Sequence, residues 1–196
     1  MKLLITAAAS ILLWFSSALM AGESLQPDNL FPKVILHTSL GDITVELDRS
    51  RAPITVNNFL SYVKTQRYNE TVFHRLISDF VLQGGGYKQD YEAITTLDAI
   101  FNESGNGLRN EIGTIAMART SNPHSATSQF YFNLSDNDSL NPGARWGYTV
   151  FGRVMEGMDI LQQVNDWETA QHKVTGWPDV PVEPIVLHRV SLVPEG

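Results

Sequence analysis

The chain of 196 residues contains no cysteine. That absence excludes disulfides, thiolate metal sites, a cysteine nucleophile and a lipid-modified cysteine at a processed N-terminus. Basic charge is scarce too. Fourteen Lys and Arg stand against 21 Asp and Glu, a formal net charge of −7, and no basic run occurs. An acidic chain of this kind is a poor ligand for nucleic acid or anionic membranes, so no nucleic-acid partner is expected. His37, His74, His124, His172 and His188 form neither a helical HExxH nor a tight pair, and no metal and no cofactor are expected. Ser128 lacks the G-x-S-x-G surround of a nucleophile elbow. Gly84-Gly85-Gly86 lacks the Lys-Ser/Thr and the βαβ setting of a phosphate loop. Those glycines read as strand-end geometry or as room for a close approach.

Only one long apolar run is present, and it is N-terminal. Lys2 precedes Leu3 to Phe15, and the small residues Ser16, Ser17, Ala18 and Ala21 follow. This is the order of a cleavable export signal, expected over 1–21 with cleavage near 18–22. A membrane anchor needs about 20 apolar residues, so no membrane association is expected once the signal is removed. Residues 22–32 read as an irregular lead-in, and 33–196 as one domain. Four Asn-x-Ser/Thr triplets, at Asn69, Asn102, Asn133 and Asn137, leave open a eukaryotic secretory reading.

Period-two alternation over Val34–Thr38 and Ile43–Leu47, around Leu40-Gly41-Asp42, predicts a β-hairpin. Pro53 suits a first helical turn, and Val56, Phe59, Leu60 and Val63 follow at helical spacing. Short apolar strands are predicted over 113–118, 128–134, 148–154 and 185–193, with a second helix over 157–164. About eight strands, two helices and no βαβ alternation point to a mainly β barrel or sandwich.

The stretch from Phe73 to Gly86 stands out. It reads as two apolar strands joined at Ser78-Asp79, with Arg75 set in the first and Gln83 in the second. Burying such groups without partners costs a few kcal/mol, so their presence asks for a reason. Val81 and Gln83 share a face by alternation, as do Gln129 and Tyr131, while Phe130 points the other way, into the core. One cation, two amides and apolar or aromatic neighbours suit the binding of an extended peptide around an apolar residue. They do not suit hydrolysis.

The motifs Phe73-His74-Arg75-Leu76-Ile77, Phe80 to Gly85, Gly113 to Ala118 and Ser128-Gln129-Phe130-Tyr131 resemble those of cyclophilin-type peptidyl-prolyl cis-trans isomerases. Asn106 to Asn110 and Ala118-Arg119-Thr120 resemble the bacterial periplasmic branch. The resemblance implies a closed eight-stranded antiparallel β-barrel capped by two α-helices, with the site on its outside. It implies an isomerase of X–Pro bonds that assists the folding of exported proteins in the periplasm, acting as a monomer on proline-containing, unfolded or flexible polypeptides. By motif, Arg75 takes the catalytic position. Phe80, Val81, Tyr131 and Leu140 take the walls of the proline pocket. Gln83, Ala118, Arg119 and Gln129 take the positions that hold the peptide backbone, and Tyr148 lies at a substrate-binding position often filled by His. Val81 stands where many members have Met, and Tyr131 where they have Phe. Ser139 stands at a position that is often Trp, which implies weak cyclosporin binding.

Overall fold

The structure, a computed structural model, describes residues 25–195. The expected export signal over 1–21 lies outside the described residues. The predicted hairpin is formed by β1 (Lys33–Thr38) and β2 (Gly41–Leu47), paired in register from Lys33↔Glu46 to Thr38↔Gly41. Alternation sends Val34, Leu36, Ile43, Val45 and Leu47 inward, where each is almost wholly buried. Helix α1 (Pro53–Lys64) has proline in its first turn and no side-chain cap of its own. The Glu103 carboxylate accepts from the N–H groups of Ile54 and Thr55 (3.1 and 2.8 Å), placing an anion where the first turn's free donors and the helix dipole favour one.

The remaining strands are β3 (Thr71–Phe73), β4 (Arg75–Ile77), β5 (Val81–Gly84), β6 (Tyr87–Lys88), β7 (Thr114–Met117), β8 (Phe130–Asn133), β9 (Val150–Glu156), β10 (Thr169–Ala170), β11 (Val180–Pro181) and β12 (Ile185–Leu192). Helix α2 (Met158–Asn165) follows β9 and buries Ile160, Leu161 and Val164. Strands β10 and β11 make a separate two-stranded sheet. The other ten form one antiparallel sheet, in the order β4-β5-β8-β7-β9-β2-β1-β12-β3-β6.

The expected closed eight-stranded barrel is therefore corrected: the sheet is curled, with ten strands and two free margins, β4 and β6. The reason lies at His74. The chain leaves β3 on one side of the seam and enters β4 on the other across this single residue, so the covalent chain, not a ladder of hydrogen bonds, joins the two sides. What reads in the sequence as one apolar strand is two. The free edge of β4 is not left bare: the N–H of Leu76 donates to the Asp179 carbonyl (2.8 Å), which blunts an otherwise unpaired strand edge.

The chain recrosses the seam between β5 and β6, at Gly84–Gly86. Gly85 has φ +77, and a Cβ there would stand 2.7 Å from the Phe130 ring. Phe130 belongs to an aromatic core with Phe59, Tyr68, Phe73, Phe132 and Phe151, all almost wholly buried inside the curl. A filled interior leaves the outer face as the surface available for ligands.

Candidate active site

Strand register assembles the site. Arg75 on β4 lies opposite Gln83 on β5, Gln83 opposite Tyr131 on β8, Tyr131 opposite Ala116 on β7, and Ala116 opposite Val150 on β9. Residues directly opposite one another project to the same face. That face is the outside, because their neighbours Leu76, Leu82, Phe132 and Ile115 all enter the interior core. Val81, Ala116, Tyr131 and Val150 form a second apolar cluster, distinct from the interior one. Phe80, Leu108, Ala118, Leu140 and Tyr148 pack around it. Every expected wall residue is in this group.

The amides stand at its border. Gln83 Nε2 donates to Gln129 Oε1 (2.8 Å). Gln129 is fixed from both sides: its carbonyl accepts from the Ala118 N–H (2.9 Å), and the preceding carbonyl, of Ser128, accepts from the buried Tyr68 phenol (2.9 Å). Two hollows flank the pair. One, of about 160 Å³, is lined by Ala118, Arg119, Ser125 and Thr127. The other, of about 260 Å³, is lined by His74, Arg75, Tyr87, Trp177 and Pro178.

Arg75 is half exposed, and its Nε lies 3.9 Å from the Asp179 carboxylate. An exposed pair at this distance holds the side chain only weakly, so the guanidinium keeps donors for a ligand. Arg119 is placed differently. Its guanidinium donates to the carbonyls of Trp146 (2.8 Å), Thr120 (2.9 Å) and Gly147 (3.3 Å) and lies 4.3 Å from the Tyr148 ring centre. Its side chain is thus spent on the 146–148 segment and on the carbonyl of its own neighbour Thr120.

Sequence reasoning did not find the polar layer beneath the walls. The Tyr131 phenol donates to Asn110 Oδ1 (2.8 Å), which also accepts from Asn133 Nδ2 (3.2 Å). Asn137 Nδ2 donates to the Phe80 carbonyl (2.9 Å), and the Asn137 carbonyl accepts from the Leu140 N–H (3.0 Å). The Leu140 carbonyl in turn accepts from the Tyr148 N–H (2.9 Å). Burial raises the Tyr131 phenol well above its ordinary value; the neighbouring Tyr148 adds to this and Arg119 opposes it. The clustered asparagines of 133–141 were the available signal. His74 is buried, and burial lowers it from 6.5 to about 4, with the positive charge of Arg75 acting in the same direction. Ser139 is exposed on the single 3-10 turn Asp138–Leu140.

No group of three or more His, Cys, Asp or Glu able to hold a metal occurs among the described residues, and no described helix is long and apolar enough to cross a membrane. The row Arg75, Gln83, Tyr131, Ala116 and Val150 contains no carboxylate, thiol, imidazole or serine hydroxyl. An apolar seat, a half-free cation beside it and amides along its border can grip an extended chain and hydrogen-bond one of its amides.

The model of the family "Cyclophilin type peptidyl-prolyl cis-trans isomerase/CLD" matches residues 33–191. The chain is similar to peptidyl-prolyl cis-trans isomerase cyp18 of Streptomyces antibioticus, 48% identical over 82% of this chain and 98% of that one. It is similar to peptidyl-prolyl cis-trans isomerase A of Dickeya dadantii, 44% identical over 82% of this chain and 84% of that one. A solved cyclophilin of Cryptosporidium parvum, crystallised in the presence of the dipeptide Ala-Pro, shares the fold, with TM-score 0.68 at 24% identity over 83% of this chain and 99% of that one.

Proposed function

Because the chain belongs to the cyclophilin-type peptidyl-prolyl cis-trans isomerases and is such an isomerase, we propose that the outer-face row carries the reaction, with Arg75 as its catalytic residue. The observation that carries this reading is the register Arg75–Gln83–Tyr131–Ala116, which sets one cation at the border of one exposed apolar seat. The Ala-Pro dipeptide named with the related structure fits that seat in kind: one proline ring and one flanking amide.

Rotation about X–Pro is slow because amide resonance sets a barrier of about 18–20 kcal/mol. Donating a hydrogen bond to the prolyl nitrogen as it pyramidalises withdraws its lone pair from resonance. Arg75 is suited to this donation, since a guanidinium presents its donors in a rigid fork. Val81, Tyr131, Phe80 and Leu140 seat the ring. Gln83, Gln129 and the backbone at Ala118 and Arg119 hold one flank while the other turns, and Tyr148 closes the rim. Only contacts that strengthen in the twisted state speed the step. Arg75→Ala is expected to lower kcat/KM on an X–Pro peptide about a hundredfold, close to 3 kcal/mol at about 1.4 kcal/mol per tenfold. Activity within a few-fold of wild type would remove Arg75 from the mechanism.

We infer further that the enzyme belongs to the bacterial periplasmic branch and acts as a monomer on exported proteins while they fold. The N-terminal leader supports export. Asn102, Asn133 and Asn137 are buried and their amides are engaged in hydrogen bonds, which argues against these triplets as glycan acceptors in the folded protein. Fractionation of the host's cells tests the location. Ser139, exposed and short, cannot cover the rim as an indole would. Cyclosporin is therefore expected to bind weakly, and nanomolar inhibition would contradict that.

A further inference from the structure

The hollow on the far side of Arg75 has walls that the isomerisation step does not use. Tyr87 and Trp177 pack against each other, ring centres 4.6 Å apart and planes tilted by 58°, and the buried His74 ring lies 4.7 Å from Tyr87 and 6.0 Å from Trp177. Pro178 completes the apolar side, while Arg75, Gln83 and Gln129 supply the side shared with the proline seat. The space, about 260 Å³, holds a large side chain.

This wall is held in place before any ligand arrives. Trp177 sits on the loop 171–179, whose stem is the pairing Thr169↔Pro181 and Ala170↔Val180. Within the loop, the His172 N–H donates to the Trp177 carbonyl and the Gly176 N–H to the His172 carbonyl (both 2.8 Å). The His172 ring lies 4.2 Å from that of Tyr91, and the Asp179 carbonyl takes the Leu76 N–H of β4. A rigid aromatic wall loses little entropy when a ligand packs on it, so the area buried there converts efficiently into affinity.

We propose that this hollow is a specificity subsite, taking an aromatic or large aliphatic side chain of the substrate at a position flanking the X–Pro bond. The inference rests on the outer-face reading of the site, since Arg75, Gln83 and Gln129 are common to both.

Peptides of one X–Pro core, carrying Phe, Leu or Ala at each flanking position in turn, discriminate. In the wild type one position is expected to favour Phe and Leu over Ala by about tenfold in kcat/KM, within what burying such a side chain supplies. Trp177→Ala is expected to shrink that ratio to about two or less. Arg75→Lys keeps a long cationic side chain along that wall and loses the planar fork, so it lowers the rate on all the peptides together and keeps the ratio, and failure of the catalytic reading is distinguishable from failure of the subsite. Trp177→Phe, a milder change, is expected to fall between. In the unmutated enzyme, the indole N–H resonance of Trp177 is expected to shift on titration with the Phe peptide and much less with the Ala peptide. Equal rates on all peptides, or a preference that survives Trp177→Ala, would overturn the subsite.

Discussion

The Tyr131 phenol donates a 2.8 Å hydrogen bond to Asn110 Oδ1, and both side chains are buried. The bond ties a wall of the proline seat to a residue 21 positions earlier. Asn110 is held in its turn: its N–H and Nδ2 both donate to Asn141 Oδ1 (2.7 and 3.1 Å). The two partners should respond unequally to removal. Tyr131→Phe deletes a donor whose acceptor keeps Asn133, so a loss of about 1 kcal/mol in urea unfolding is expected, with kcat/KM within a few-fold. Asn110→Ala leaves the buried phenol without its acceptor, while the Asn133 amide keeps Thr114 Oγ1 (2.9 Å), and about 2 kcal/mol is expected. The double variant should cost less than the sum of the two. Strict additivity would show that the bond couples nothing.

Gly86 bears on Gln129 by space alone. A Cβ at residue 86 would lie 2.6 Å from Gln129 Cγ and 2.7 Å from its amide nitrogen. The obstructing atoms belong to a flexible side chain, so Gly86→Ala should move Gln129 and not the backbone. That movement breaks the bond from Gln83. The expected result is a Tm within a few degrees of wild type and a rise in KM of about tenfold, near 1.4 kcal/mol of lost peptide grip. An unchanged KM would mean that Gln129 does not touch substrate.

Arg119 is expected to act through the fold of its neighbours. Three backbone carbonyls and the Tyr148 ring take its guanidinium. Arg119→Lys keeps the charge and loses the planar fork, so it should behave nearly as Arg119→Ala does. Both should raise KM, through a loosened 146–148 segment, more than they lower kcat. Full recovery by lysine would show that charge alone matters.

Much of this site is legible in the sequence, because strand alternation is a local rule. Val81 shares a face with Gln83, and Gln129 with Tyr131, from spacing alone, while Phe130 takes the other; that Arg75 lies opposite Gln83, and Gln83 opposite Tyr131, is set by the register between strands. The resemblance added Leu140 and Tyr148, which alternation could not reach because they lie on a turn and at a strand entry. Three features were not legible. Trp177 and Asp179 reach the Arg75 region from about a hundred residues away, on a loop with no period to mark its destination. The Asn110–Tyr131 bond joins a loop to a strand, and asparagines carry no periodic signal. The open seam depends on a strand ending at Phe73 and another starting at Arg75, within one continuous apolar run that reads as a single strand. Each is a long-range pairing that a side-chain pattern does not encode.

His74 sits at that seam, and its burial sets a pH dependence. In the unfolded chain the ring titrates near 6.5, and in the folded protein near 4. The folded state therefore binds fewer protons between these values, so stability rises with pH across the interval and is lost as pH falls from about 6.5 through about 4. The full interval corresponds to about 3 kcal/mol. Carboxylates titrate in the lower part of this range as well, so the comparison must be with a variant lacking the ring's titration. His74→Phe is expected to lose stability at pH 7, where the neutral imidazole packs against Tyr87. Its deficit should narrow steadily as unfolding is repeated at pH 6, 5 and 4.5, because only the wild type must resist protonation. A deficit constant across that range would mean that His74 is solvated enough to titrate normally, and that the seam is wetter than its packing against Tyr87 and Trp177 implies.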